Sequence, residues 1–339
     1  MSETVYRKPG QRLRLFSQRT GVVCRGCSLP LQRVVTDFGA ERAFGRVVTQ
    51  LQEHYGITLP VTTIRRITEG HAQRLHASLE RIQEYPDQVG CEYLIAQLDG
   101  SMIPIVQTDR KAKDKRKGKQ LSWKEARLCL AHERGSVTPH FAVSFQESVE
   151  QAGEALFDCA CRAGFGCQTY VHGIGDGAQW IADQVEVQFG AQGHYLVDFY
   201  HVCEYLGNAA LSCAGKENAE VWFEKYQMAL KNGQVEEVIE ALEPHLETPD
   251  REDTKAPVRA CYRYLSNRLG QFEYHTAKQN QLPIASGEIE SAHRYVIPER
   301  LKIAGAWWSS EQATYMLSLR TVRANSQWDT YWTRQAAVV

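Results

Sequence analysis

The chain has 339 residues, of which 43% are hydrophobic and 23% are charged, and its formal net charge at pH 7 is −1. These proportions are those of an ordinary soluble globular protein, and the length suits two or three structural units. Ten cysteines are too few for a disulfide scaffold, so we expect reduced thiols in a cytoplasmic protein. We expect no membrane span, because no run of about 18 apolar residues is present.

Two segments are strongly basic although the whole chain is nearly neutral. Residues 1–34 carry seven Arg or Lys side chains and one Glu, and RKAKDKRKGK at 110–119 carries seven and one Asp. Such blocks are either solvated loops or contacts to nucleic-acid phosphates, and both interpretations stay open. The side chains of the second block that would follow a DNA backbone are Lys111, Lys113, Lys115, Arg116, Lys117 and Lys119.

The N-terminal basic arm also contains one CxxC pair, formed by Cys24 and Cys27. A zinc site needs four ligands, and neither a second CxxC nor an HxxxH follows nearby. Plain thiols and one half of a zinc module therefore both remain open.

Helical spacing begins after this arm. The apolar pattern predicts a helix over 40–55 closed by Gly56, and a second helix from Val61 that continues through Leu79 and Ile82. The first turns of this second helix carry two basic side chains, Arg65 and Arg66. The pattern fits a helix-turn-helix, whose second helix meets base edges in the major groove, although an ordinary helical hairpin has the same spacing.

From Cys91 the pattern changes to strands. Three apolar segments with short connections predict an antiparallel meander, and two later strands alternate with helices and should therefore add in parallel. The sequence thus predicts a mixed α/β sheet of five strands with helices on its faces. The predicted strands are 94–106, 126–132, 139–145, 169–174 and 194–199, and the predicted helices between them are 148–163 and 178–189.

The strand pattern stops at about residue 215. Residues 217–231 and the segments after Val235 and Pro257 have helical spacing, and further helices begin near Ser286 and Ser309. The predicted organisation is a basic arm (1–36), a helix-turn-helix-like region (37–88), a first core part (89–214), a helical insertion (215–281) and C-terminal core helices (282–339).

Acidic residues occupy apolar, well-structured settings on three separate elements. Asp99 interrupts the strand LIAQLDGSMIPIV, Asp176 follows the fourth strand, and Glu288 and Glu290 begin a helix. Three converging carboxylates without His or Cys ligands favour Mg²⁺ or Mn²⁺, and two such ions suit in-line displacement at phosphorus. Taken singly, each acid is better explained as a helix cap or part of a surface ion pair, and it is their joint placement on one sheet that favours a metal site.

Five segments carry a resemblance to a known family. They are LDGSMIPIV at Asp99, WKEARL at Trp123, GIGDGAQWI at Asp176, VDFYHVCEYL at Val197 and SGEIESAHRYVIPERLKIAGAWW at Ser286. In these motifs the chain resembles DDE transposases of bacterial insertion sequences, of the ISKra type, and more distantly Mutator-like transposases.

This resemblance implies an RNase H-like core with a metal-binding triad of Asp99, Asp176 and Glu290, and a helical domain inserted before the Glu. The family pattern Ser-Gly-x-x-Glu is what selects Glu290. The resemblance also matches Asp198-x-x-His201 to an Asp-x-x-His motif. That pair would either assist at the DNA or active site or supply a hydrogen bond that orders its helix.

The expected function is that of a nucleoid-associated transposase that binds element ends, cleaves there with two Mg²⁺ or Mn²⁺ ions, and joins the ends to target DNA. A homo-oligomer is expected in its synaptic complex. Two alternatives stay open: a non-catalytic DNA-binding remnant or repressor of a related element, and a structure-specific RNase H-like nuclease.

Overall fold

A computed structural model describes residues 4–9, 11–15, 19, 26–108 and 118–337. Its first elements, β1 (Tyr6–Lys8) and β2 (Gln11–Leu13), form a small antiparallel pair. Cys24 lies outside the described residues, whereas Cys27 is buried. Five of the basic side chains expected at DNA also lie outside them, namely Lys111, Lys113, Lys115, Arg116 and Lys117.

Three helices follow, α1 (Leu29–Glu41), α2 (Phe44–Tyr55) and α3 (Val61–Ala77). The predicted single helix over 40–55 is wrong, because the backbone is extended at Arg42 and Ala43 and divides two helices. Gly56 closes α2 as predicted, with a φ of 62° that favours glycine. The three helices enclose a small core of Val35, Val47, Leu51, Ile64 and Ile67.

Helix α3 ends earlier than its sequence pattern predicts. Leu79 and Ile82 are exposed, so extending the helix over them would bury no apolar face. The Ser78 hydroxyl donates to the Leu75 carbonyl at the helix end, and the Ile82 amide donates to Asp158. These bonds direct the chain away from the helix axis and towards the sheet.

A five-stranded mixed sheet forms the centre of the molecule, as predicted. Its strands are β3 (Tyr93–Thr108), β4 (Lys119–Glu133), β5 (His140–Phe145), β6 (Tyr170–Gly175) and β7 (Gly193–Val197). The order across the sheet is β5-β4-β3-β6-β7. The first three strands pair antiparallel, and β6 and β7 are parallel to β3.

Each face of the sheet is covered by helices. Helices α4 (Val149–Arg162) and α5 (Gln179–Phe189) pack on one face, where Leu94, Ala96 and Leu98 of β3 point. Alternate residues of a strand point to opposite faces, so Gln97 and Asp99 point to the other. That face carries four C-terminal helices, α10 (Gly287–Val296), α11 (Pro298–Leu301), α12 (Ser310–Ala324) and α13 (Trp328–Ala337).

The helical insertion contains α6 (Phe199–Lys231), α7 (Val235–Leu242), α8 (Pro257–Ser266) and α9 (Tyr274–Gln279). Strand β7 ends earlier than predicted, at Val197, because Asp198 caps α6 where the sequence pattern continues the strand to Phe199. Gly215, with a φ of 71°, interrupts α6. Apolar residues of the insertion share a core with Ile174 and Leu196 of the sheet.

The first and last helices of the described chain pack against each other. Ala72 and Leu75 of α3 belong to the same buried cluster as Met316 of α12 and Ile103 of β3. Buried Arg300 donates from Nε to the Gly39 carbonyl at 2.9 Å. Helix α13, which the sequence did not predict, adds Tyr331, whose hydroxyl lies 2.8 Å from His71 Nδ1. No helix in the described ranges is long and apolar enough to cross a membrane.

Candidate active site

Asp99 lies midway along β3, on the sheet face that α10 covers. Its Oδ1 accepts a hydrogen bond from the Gly100 amide at 2.7 Å, and its Oδ2 lies 3.2 Å from Nε2 of His293. The carboxyl side chain is 38% exposed. Burial raises the pKa of Asp99, and the charges of Asp176 and Glu125 act in the same direction, against the opposing effects of His293 and the Gly100 amide.

Asp176 lies beside Asp99 through the register of two parallel strands. Gln97 of β3 is aligned with Ile174 of β6. Asp99 follows Gln97 by two residues, and Asp176 follows Ile174 by two residues, just past the end of β6. Asp176 is exposed at the end of β6, and its Oδ1 accepts from the Ala178 amide at 2.9 Å. The effect of its charge on the pKa of Asp99 agrees with this proximity.

The helical insertion holds the loop that carries Asp176. The Tyr264 hydroxyl of α8 donates to the Asp176 carbonyl, and Arg268 Nε donates to the Gly177 carbonyl, both at 2.6 Å. The Gly177 amide donates to the Tyr195 hydroxyl at 3.0 Å. Gly177 has a φ of +84°, and a Cβ there would lie 2.3 Å from the Tyr264 hydroxyl. Only glycine therefore suits this position.

Gln97 and Glu288 attach the start of α10 to the sheet. Gln97 is buried; its Nε2 donates to Glu288 Oε2 and its Oε1 accepts from the Ile289 amide, both at 3.0 Å. His132 Nε2 lies 2.8 Å from the same Glu288 oxygen. Burial alone would lower the pKa of His132, but the hydrogen bond and charge of Glu288 outweigh it and raise that pKa. Glu288 thus has partners that account for it structurally.

Glu290 is exposed two residues further along α10, and its carboxylate makes no hydrogen bond or ion pair within the described residues. Glu290 and His293 are three residues apart, so they share one face of the helix. The structure therefore brings Asp99 and Asp176 together but leaves Glu290 on the neighbouring helix. Among the residues described, no three acidic, His or Cys side chains are already arranged as a metal site.

The side chains of Asp198 and His201 have different partners. Asp198 is buried; its Oδ1 accepts from the Tyr200 and His201 amides at the start of α6, and its Oδ2 accepts from the Ser286 amide and hydroxyl. It thereby joins the start of the insertion to the start of α10. The His201 ring instead packs beside Tyr205, with ring centroids 5.6 Å apart. This arrangement agrees with the helix-ordering interpretation of Asp198.

The described basic residues predicted to contact DNA are exposed. Arg65 and Arg66 project from α3, where Arg65 pairs with Glu69 at 2.7 Å. Lys119 begins β4, and its Nζ lies 5.0 Å from the ring centre of Trp307. Sequence reasoning missed Lys302, whose Nζ donates to the Ser101 hydroxyl at 2.8 Å.

Ser101 lies two residues after Asp99 and hence on the same face of β3, so Lys302 places a cation beside the carboxylates. His293, Tyr264 and Arg268 were also missed. His293 could have been found from its position three residues after Glu290, which places both side chains on one face of the helix. Tyr264 gives no local signal, because it reaches Asp176 across 88 residues of sequence.

Comparison with known proteins gives a match that includes Asp176 and Glu290 but not Asp99. No curated protein is significantly similar to the chain. Residues 166–333, which carry Asp176, Asp198 and Glu290 and make up just under half of the chain, match the model of the Uncharacterised protein family UPF0236.

Proposed function

We propose that this protein is a transposase of the DDE class, which cleaves DNA at the ends of a mobile element and joins those ends to target DNA. The observation that carries the proposal is the placement of Asp99 on β3 and of Asp176 just past the end of the adjacent parallel strand β6, in a five-stranded mixed sheet. The helix with the Ser-Gly-x-x-Glu sequence lies on the same face and contacts Asp99 through His293.

The donor atoms of this site suit a divalent cation. Burial and a second carboxylate both raise the pKa of Asp99, and a bound cation would reverse that effect. Carboxylate oxygens are the ligands that Mg²⁺ and Mn²⁺ prefer. Asp99, Asp176 and Glu290 would hold two such ions, which when bound lower the pKa of an attacking hydroxyl and neutralise the leaving oxygen.

The chain's own residues would bind and orient the DNA. Lys302 lies beside the carboxylates, Lys119 begins the ribbon formed by β3 and β4, and Arg65 and Arg66 project from a helix that suits the major groove. In the first step water attacks the phosphorus of a phosphodiester at the element end and displaces its 3′-oxygen. The products are a free 3′-hydroxyl and a 5′-phosphate. That hydroxyl then attacks a target phosphodiester and displaces the target 3′-oxygen. A homo-oligomer would hold two ends together.

A joining assay tests the proposal. Purified full-length protein is incubated with duplexes carrying the DNA that flanks its gene, with Mg²⁺ or Mn²⁺, and nicked and joined products are measured. We expect Asp99→Asn to reduce both products at least about a hundredfold, because a metal ligand is lost. Asp183→Asn, an exposed acid on α5, is the matched control and should behave as the wild type. Undiminished joining by Asp99→Asn would contradict the assignment.

A non-catalytic DNA-binding protein is the second candidate. It is favoured by the exposed position of Glu290, since three ligands are not already gathered in the described chain. Binding of end DNA without metal-dependent nicking would support it. Metal-dependent nicking of branched or hybrid substrates without joining would instead support a structure-specific nuclease on the same core.

A further inference from the structure

We propose that His293 is an additional ligand of the metal site, and that its imidazole shares one divalent ion with Asp99. The inference rests on the proposed function, because it concerns the same site. It goes beyond a site built only from carboxylates, since it assigns a nitrogen ligand and with it a preference among metals.

The distance between the two side chains fits joint coordination. Nε2 of His293 lies 3.2 Å from Oδ2 of Asp99. Two atoms that bind an octahedral ion at right angles, each about 2.1 Å from it, are about 3.0 Å apart. The imidazole and the carboxylate are therefore already separated by one edge of a coordination sphere.

The imidazole of His293 is buried beside Asp99, and its ring nitrogens are not engaged in aligned hydrogen bonds in the described part of the chain. The side chain of His293 is only 9% exposed. Buried polar atoms are nearly always satisfied, and a cation at Nε2 would satisfy that nitrogen. The close approach to Asp99 is a contact between two ligand atoms without hydrogen-bond alignment.

Helix α10 fixes this imidazole in place. Gln97 holds the Ile289 amide, and Asp198 holds Ser286, so the start of the helix is bonded to both β3 and the start of α6. The spacing Glu290-x-x-His293 adds a carboxylate to the same helix face. A Glu and a His three residues apart on one helix are a known metal-binding arrangement in helical bundles. Glu290 would turn towards an ion that His293 and Asp99 already contact.

A nitrogen ligand changes the expected metal preference. Imidazole binds Mn²⁺ and Co²⁺ better than it binds Mg²⁺, which prefers oxygen and water. We therefore expect the metal-free protein to bind Mn²⁺ more tightly than Mg²⁺. Replacing His293 with Asn should weaken Mn²⁺ binding about 10- to 100-fold and affect Mg²⁺ binding much less.

The test uses the full-length, metal-free protein and Mn²⁺ alone as the probe. Electron paramagnetic resonance measures free Mn²⁺ during a titration, and electron spin echo modulation detects a nitrogen bound to the ion. We expect nitrogen modulation in the wild type and its loss in His293→Asn. The control is His172→Asn, because His172 is also buried but its Nε2 donates to the Pro283 carbonyl at 2.8 Å, away from the site. It should keep both the modulation and the affinity.

The outcomes separate this inference from the proposed function. Mn²⁺ binding that depends on Asp99 but shows no nitrogen modulation would overturn the role of His293 and leave the proposed function standing. Mn²⁺ binding unaffected by Asp99→Asn would overturn both. Nitrogen modulation is measured on the wild-type protein, so the test still distinguishes these outcomes if His293→Asn fails to fold. His293→Gln provides a second replacement.

Discussion

The two faces of the central sheet are built from the same strands, and they differ most at the middle of β3. Towards α4 and α5, β3 presents Leu94, Ala96 and Leu98 to a buried apolar cluster. Towards α10, the alternate positions of β3 present Gln97 and Asp99 to a polar group of side chains on β4 and α10. Alternate residues of β3 thus serve different purposes, with Leu94, Ala96 and Leu98 packing in the core and Gln97 and Asp99 contacting polar side chains. Both faces contribute buried apolar residues, and on the α10 face these residues surround the charged and partly unsatisfied groups at the middle of β3.

The largest effect on stability is expected on the apolar face. Leu98 is 1% exposed, and Leu98→Ala should lower the free energy of unfolding by about 2–5 kcal/mol, because it removes buried area and leaves a cavity. Urea unfolding measures this change. Leu211→Ala, at an exposed leucine of α6, should cost little. A loss from Leu98→Ala below about 1 kcal/mol would contradict the tight packing of Leu98 in this cluster.

On the polar face, the largest expected structural effect is that of Gln97→Leu. The change removes the bonds to Glu288 and to the Ile289 amide, one of them to a charged group, and should cost about 1–3 kcal/mol. The start of α10 should also exchange its amide hydrogens faster, which hydrogen-exchange mass spectrometry measures. Gln107→Leu, at an exposed position of the same strand, is the control. Unchanged exchange in α10 would contradict the anchoring role of Gln97.

A smaller effect is expected where the insertion meets the polar face. Tyr264→Phe removes the hydrogen bond to the Asp176 carbonyl. It should cost about 0.5–1.5 kcal/mol and reduce joining about tenfold, because Asp176 is less firmly positioned. Tyr262→Phe, on the same helix with a 3.4 Å contact to Glu243, should change neither quantity. Equal effects of the two variants would contradict the inference that Tyr264 of α8 positions Asp176.

The smallest effect is a pH-dependent change in stability at Asp99. The pKa of this carboxyl is raised in the folded protein, so ionised Asp99 opposes folding above that pKa, and the penalty disappears below the unfolded value of about 3.8. Asp99→Asn should therefore melt at the same or a slightly higher temperature than the wild type at pH 7. The difference should shrink as the pH falls towards about 4. A melting temperature that drops at pH 7 would mean that the carboxylate stabilises the fold.

Much of the fold follows from local patterns in the sequence. The alternation and composition around Asp99 predict β3, the capping box at Ser148 predicts the start of α4, and Ser309 predicts that of α12. The errors occur where the deciding contact is not local. Nothing in Arg42-Ala43 marks a helix break by glycine or proline, and HYLVDF continues as a strand until Asp198 bonds to Ser286.

The site likewise contains residues that local sequence patterns predict and residues that only tertiary contacts reveal. Asp99 and Asp176 were found because a carboxylate in an apolar strand, or just after one, is conspicuous in a sequence. The contact of His293 with Asp99 depends on how α10 lies across the sheet, which helical periodicity does not determine. Arg268 and Gly177 lie 91 residues apart, and only the folded insertion brings them together.

The shared core of the first and last helices has a consequence for engineering. Ala72 and Leu75 of α3 pack in one cluster with Met316, and Arg300 reaches back to Gly39. The part of the chain that carries Arg65 and Arg66 is therefore not an interchangeable module. A chimera that exchanges only residues 29–77 would place foreign side chains against α12 and α13. Transfer of target specificity between such proteins would require the C-terminal helices to move with the N-terminal ones.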